Sequence, residues 1–208
     1  MKQNSILIRR ALLFFLAAVP ALWLDLATKT WSFHFLGMPG EKQAFWLIPN
    51  VLGIQTSLNE GALFGMGQGF VPVFAVTSFI ALAFIIGILF WSGLAKSRFW
   101  TLILGFAAAG VLGNLYDRLG MHHLVWGDFY PPHLPGEPVY AVRDWILVMI
   151  GSYHWPNFNL ADTYLVAASI LGMTAFMLMP EEKKEVLCDE EQTPADPEAA
   201  GKADPEEN

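Results

Sequence analysis

Carboxylates and carboxamides recur in small groups along this chain: Asp25 with Lys29, Asn59, Asn114 with Asp117 and Arg118, and Asn159 with Asp162. Two aspartates held close cannot both ionise, so one keeps a proton at a pH where the other is charged. The charged group takes a proton from water while the protonated one polarises a carbonyl. Such a pair hydrolyses a peptide bond without a cofactor. Asparagines beside it donate amide hydrogens that fix a carboxylate or a substrate carbonyl. No Ser–His arrangement and no His-Glu-x-x-His motif is present. His122, His123 and His133 lie near Asp128 in sequence, but their spacing matches no metal site. Neither a metal nor a cofactor is expected.

Each group also has an ordinary structural reading. Asn159 or Asp162 can cap a helix. Asp117 and Arg118 can form an interfacial ion pair, and Asp25 with Lys29 has the i,i+4 spacing of a stabilising helical pair.

The elements that must position these residues are membrane spans. The 208 residues are 54% hydrophobic and only 15% charged, with a mean hydropathy of +0.42; soluble domains carry nearer a quarter charged residues. No Asp, Glu, Lys or Arg occurs from Gly61 to Ala95 or from Phe99 to Tyr116. Such lengths suit spans of ~20 residues. Four are expected: Ala11–Leu26, one within Phe70–Trp91, one within Phe99–Tyr116 after the Ser92–Arg98 turn, and Leu160 to Met179-Pro180. The first resembles a secretory signal peptide at its start, but its apolar run continues through Leu26. The segment Thr30–Gly69 reads as a small strand-containing element, and Leu119–Phe158 as a loop rich in proline and aromatics. Residues 1–180 form one four-span domain with no internal repeat, and the acidic tail 181–208, which holds the single cysteine, Cys188, reads as disordered.

Lys2, Arg9, Arg10, Lys96, Arg98, Lys183, Lys184 and Lys202 fall on one side, eight of twelve basic residues, which predicts both termini in the cytoplasm. With alternating spans, the end of the first and third and the start of the second and fourth lie on the opposite face. The polar groups above all fall there. Ionisable residues at membrane depth are costly and mark functional sites by default, and scattered surface residues would show no such agreement. No basic patch suggests nucleic acid.

Asp25-x-x-Thr28-Lys29, Asn59-Glu60-Gly61-Ala62-Leu63-Phe64-Gly65, Gly113-Asn114-Leu115-Tyr116-Asp117-Arg118 and Phe158-Asn159-Leu160-Ala161-Asp162 resemble, in order and at matching span ends, the motifs of lipoprotein signal peptidase (signal peptidase II). The resemblance implies an all-α polytopic fold of four spans with a small extracytoplasmic β-containing cradle between spans 1 and 2. It implies an aspartic endopeptidase of the bacterial inner membrane, active near its outer face and without metal. The substrates it implies are diacylglyceryl-modified prolipoproteins, cut before the lipidated cysteine, with membrane lipids as surroundings and a monomeric enzyme. It carries the catalytic pair onto Asp162 and onto Asp144 in Val142-Arg143-Asp144-Trp145-Ile146. Asn59, Asn114, Asn159, Arg118, Asp25 and Lys29 become supporting residues, Phe64 and Phe158 face acyl chains, and Asp117 pairs with Arg118 to hold the following loop, a catalytic Asp117 being the minor alternative.

One departure stands out. Asp144 follows Asp117 by 27 residues, further than the family pattern, so roughly Met121–Ala141 is an insertion expected to adjust substrate access without supplying chemistry. Asp128 in Gly127-Asp128 is the rival for Asp144. A small transporter or proton relay is the competing function, since intramembrane acids also line ion paths. Against it, the acids gather at one face. A presenilin-type protease needs Gly-x-Gly-Asp, and position 125 is valine.

Overall fold

The computed structural model describes residues 2–61, 70–91, 97–128 and 130–179. The segment Ala62-Leu63-Phe64-Gly65, Lys96 and the tail lie outside the described residues.

Helix α1 (Lys2–Leu36) runs ten residues past the end expected at Leu26. Residues that looked too polar to continue a span are satisfied within the helix. Thr28 donates to the Leu24 and Asp25 carbonyls, and Ser32 to that of Thr28. Gly37 ends the helix at φ +79, a left-handed conformation suited to glycine, and its N–H reaches the Phe33 carbonyl at 2.9 Å. Strands β1 (Phe45–Ile48) and β2 (Leu52–Asn59) form a hairpin. Helices α2 (Val71–Trp91) and α3 (Arg98–Arg118) follow. Strands β3 (Val142–Ile150) and β4 (Tyr153–Phe158) form a second hairpin, closed at Gly151, before α4 (Leu160–Met177). Helices α1 to α4 each contain a segment long and apolar enough to cross a membrane.

All four strands share one antiparallel sheet, ordered β1-β2-β3-β4. The expected small sheet is therefore present, but two of its strands come from between α3 and α4, where only a loop was expected. Pairing of β2 with β3, from Leu52↔Val148 to Asn59↔Val142, joins the two external segments. The run Val142–Ile150 lacks clean alternation because both sheet faces are partly covered, which hides a strand from periodicity.

Helix α3 is the centre of the bundle. Glycines let its neighbours approach: a Cβ at Gly105 would lie 2.9 Å from the Ala17 Cβ of α1, and one at Gly110 would lie 2.6 Å from the Ala161 carbonyl of α4. Phe14, Ala18, Ile85, Leu89, Leu104 and Ala108 form a core joining α1, α2 and α3. By contrast α2 leaves Val73, Val76, Phe79, Ile80 and Phe84 exposed, as lipid-facing residues would be.

Candidate active site

The end of α1, the end of α3, the β2–β3 ladder and the start of α4 meet at one end of the bundle, and the polar residues singled out in sequence meet with them. Asn159 joins β4 to α4. It is wholly buried and extended, and its side chain accepts from the Asp162 N–H at 3.0 Å. In return the Asp162 Oδ2 accepts from the Asn159 N–H at 3.3 Å, a reciprocal capping box. The ordinary reading of these two residues is thus correct, and it fixes Asp162 on the wall of the site.

The Asn159 amide also reaches outward. Its Nδ2 donates to Asp144 Oδ1 at 2.6 Å and to Asn114 Oδ1 at 3.2 Å. The Asn114 Nδ2 in turn donates to Asp162 Oδ1 at 2.8 Å. Two asparagines therefore connect the two aspartates, and Asn59 adds a hydrogen bond to Asp144. Asp144 is 2% exposed. Burial holds its pKa well above the ordinary carboxylate range, and the charge of Asp162 pushes the same way. Hydrogen bonds from Asn159 and Asn59 and the charge of Lys29 act against this rise.

Behind the asparagines lies a buried ionic layer. Lys29 meets Asp25 at 2.8 Å, Asp117 at 3.1 Å and Asn114 Oδ1 at 3.1 Å. Asp25 Oδ1 accepts from the Ala161 N–H at 2.9 Å, tying α1 to the first turn of α4. Asp117 does not pair with Arg118, contrary to expectation: successive side chains on a helix point ~100° apart. Asp117 instead accepts from Arg143 at the backbone N–H and Nε, both 3.0 Å, and lies 2.8 Å from the same guanidinium's Nη2. Arg143 was not among the candidates from sequence. The sequence carried no signal for it, because the strand that points Arg143 and Asp144 in opposite directions read there as loop.

Arg118 turns instead toward a cavity of about 430 Å³, lined by Asn59, Asn114, Arg118, Asp162 and the apolar Val142, Phe158, Val166 and Ile170. Its Nη2 donates to the Gly61 carbonyl at 3.1 Å, its guanidinium lies over Phe74 at 5.5 Å, and its buried Nε has no hydrogen-bond partner among the described residues. Phe158 lines the cavity. Asp144 sits one layer behind this wall. Asp128, its rival, is exposed in the 121–141 loop. Among the described residues no three His, Cys, Asp or Glu side chains form a group able to hold a metal.

Among the described residues, four apolar helices in a bundle, with a small sheet and buried acids and amides at one end, define a polytopic membrane protein with a carboxylate-rich polar site. A family model described as signal peptidase (SPase) II matches residues 17–178. The chain is 42% identical over 163 residues to the lipoprotein signal peptidase of Rhodopirellula baltica, covering 78% of this chain and 70% of that protein. It is 31% identical over 206 residues to that of Bifidobacterium longum, covering 96% and 98%. Two solved bacterial membrane enzymes, determined by the in meso method at 2.3 and 1.9 Å, superpose with TM-scores of 0.62 and 0.63 at 27% and 25% identity. They cover 79% and 80% of this chain, and the matches span 87% and 94% of theirs. The chain belongs to the signal peptidase II family.

Proposed function

We infer that this protein is a membrane aspartic endopeptidase that removes the signal peptide from prolipoproteins, with Asp144 and Asp162 as the catalytic pair. One observation carries the assignment: two aspartates from different elements, bridged by Asn159 and Asn114, of which one borders an open cavity and the other is buried. Charge balance supports it. Asp25, Asp117, Asp144 and Asp162 make four acids, against the three bases Lys29, Arg118 and Arg143. A single retained proton neutralises the set, and burial favours Asp144 as the group that keeps it.

Asp144 then serves as the acid toward the scissile carbonyl and Asp162 as the base that activates water. Arg118, whose side chain lines the cavity, orients a substrate carbonyl. Asn59, Asn114 and Asn159 hold the carboxylates, while Asp25 and Lys29 fix the start of α4 from behind. The apolar wall of Phe158, Val166 and Ile170 suits an acylated substrate, cut before the lipid-modified cysteine. Both termini are cytoplasmic in this reading and the site lies near the outer face of the bacterial inner membrane. The enzyme acts as a monomer.

The test is incubation of purified protein with a diacylglyceryl-modified prolipoprotein peptide. Cleavage directly before the modified cysteine is expected, by wild type and not by Asp144→Asn or Asp162→Asn. An unmodified peptide cut equally well would rule out recognition of the lipid.

A further inference from the structure

The 121–141 loop is tied to the molecule at several points. Trp126 is buried with Val139 and Ala141 against Leu58 of β2 and Met38 after α1. The Tyr130 hydroxyl donates to the Pro39 carbonyl at 2.8 Å. The His133 ring lies flat on Trp126, with centroids 4.0 Å apart and planes 2° from parallel. From this base the His133 Nε2 meets Glu60 Oε1 at 2.9 Å.

Glu60 occupies the middle of a short turn with two contacts to the site. Before it, the Asn59 carboxamide bonds Asp144 and accepts from the Gly61 N–H at 3.0 Å. After it, the Gly61 carbonyl accepts from Arg118 at 3.1 Å. The ladder with β3 ends at Asn59, so sheet hydrogen bonds no longer hold Glu60 and Gly61. Resting on the peptidase reading above, we propose that Glu60 and His133 are positioning residues. The loop is a strap whose histidine pins the Asn59–Gly61 turn against Asp144 and Arg118. Both side chains of the pair are about a quarter exposed (24% each). Such a pair contributes little to stability, so its effect is geometric and passes through Asn59 and Gly61.

The experiment measures kcat and KM of the full chain on a diacylglyceryl-modified prolipoprotein peptide, per folded molecule, together with backbone amide exchange across 59–61. Glu60→Ala and His133→Ala should lower kcat roughly tenfold, with KM changed less than about twofold, as for a displaced but intact site. Exchange at Gly61 should quicken in both. Glu60→Gln and His133→Gln keep a hydrogen bond and should recover most of the rate. The double alanine variant should be no worse than either single one, because both remove one contact. His133→Ala takes a ring from a stacked pair, so Glu60→Ala, which removes no ring contact, decides the matter if folding suffers. A kcat for Glu60→Ala within about twofold of wild type, an increased kcat, or unchanged Gly61 exchange would each overturn the strap. A wild-type protein that leaves the peptide uncut counts against the peptidase reading instead, and the strap is then judged by amide exchange alone.

Discussion

Asp144 and Asp117 are both buried aspartates, yet their surroundings assign them opposite tasks. Asp117 lies between Lys29 and Arg143, two fixed positive charges. Asp144 is met by neutral amides and by the like charge of Asp162. Replacing Asp117 by Asn leaves Lys29 and Arg143 without their shared counter-charge, at a cost of about 3–5 kcal/mol. The expected outcome is a lower yield and melting temperature, with a smaller loss of turnover per folded molecule. Asp144→Asn and Asp162→Asn should each abolish turnover while peptide binding persists, and the double variant should be scarcely worse. Substantial cleavage by Asp144→Asn, with none by Asp117→Asn, would transfer the role to Asp117. The raised pKa of Asp144 also sets a sign for stability. Its native form holds a proton more tightly than the unfolded chain does, so its contribution is complete below the unfolded value. That contribution is lost as pH rises through the folded value. Melting temperature should therefore fall on the alkaline side in wild type and fall less in Asp144→Asn. Activity should decline over the same range as the shared proton is lost.

At the scale of elements, the close approach of α3 to α4 decides whether the site exists. A Cβ on Gly113 would collide with the Asp25 carboxylate and reach the Ala161 Cβ at 3.2 Å. Asp25 holds the Ala161 N–H, so the collision displaces the residue that anchors the first turn of α4. Gly113→Ala should cost about 1–3 kcal/mol by overpacking and lower kcat more than its stability loss explains. Gly172, where a Cβ would come only within 3.4 Å of the Trp100 ring, is the control and should tolerate alanine. Equal losses at the two glycines, measured as turnover per folded molecule, would argue against positioning of α4 through Asp25.

For the molecule as a whole, the lysine and arginine distribution predicts that a reporter fused after Asn208 behaves as cytoplasmic and one placed in the 121–141 loop as external. An external C-terminus would put the polar end of the bundle on the wrong face for this function. Truncation after Lys184 should leave cleavage intact, as the tail's composition cannot bury a core. The spans and the convergence of Asp25, Asn114, Asn159 and Asp162 were legible in sequence because apolar run length and the parity of alternating helices are one-dimensional properties. The pairing of Asp144 with Asp162 was proposed for a different reason: the resemblance carries it onto two short motifs in order along the chain. Three features were decided only by tertiary structure. The ten further residues of α1 depend on Lys29 finding Asp25 and Asp117 in a buried layer, where composition alone reads polar residues as a span's end. The second hairpin depends on β2 offering an edge to β3, a pairing between segments some ninety residues apart (Leu52↔Val148). The choice of Arg143 rather than Arg118 as the counter-charge of Asp117 depends on the directions in which a helix and a strand point their side chains, and adjacency in sequence carries no information about that.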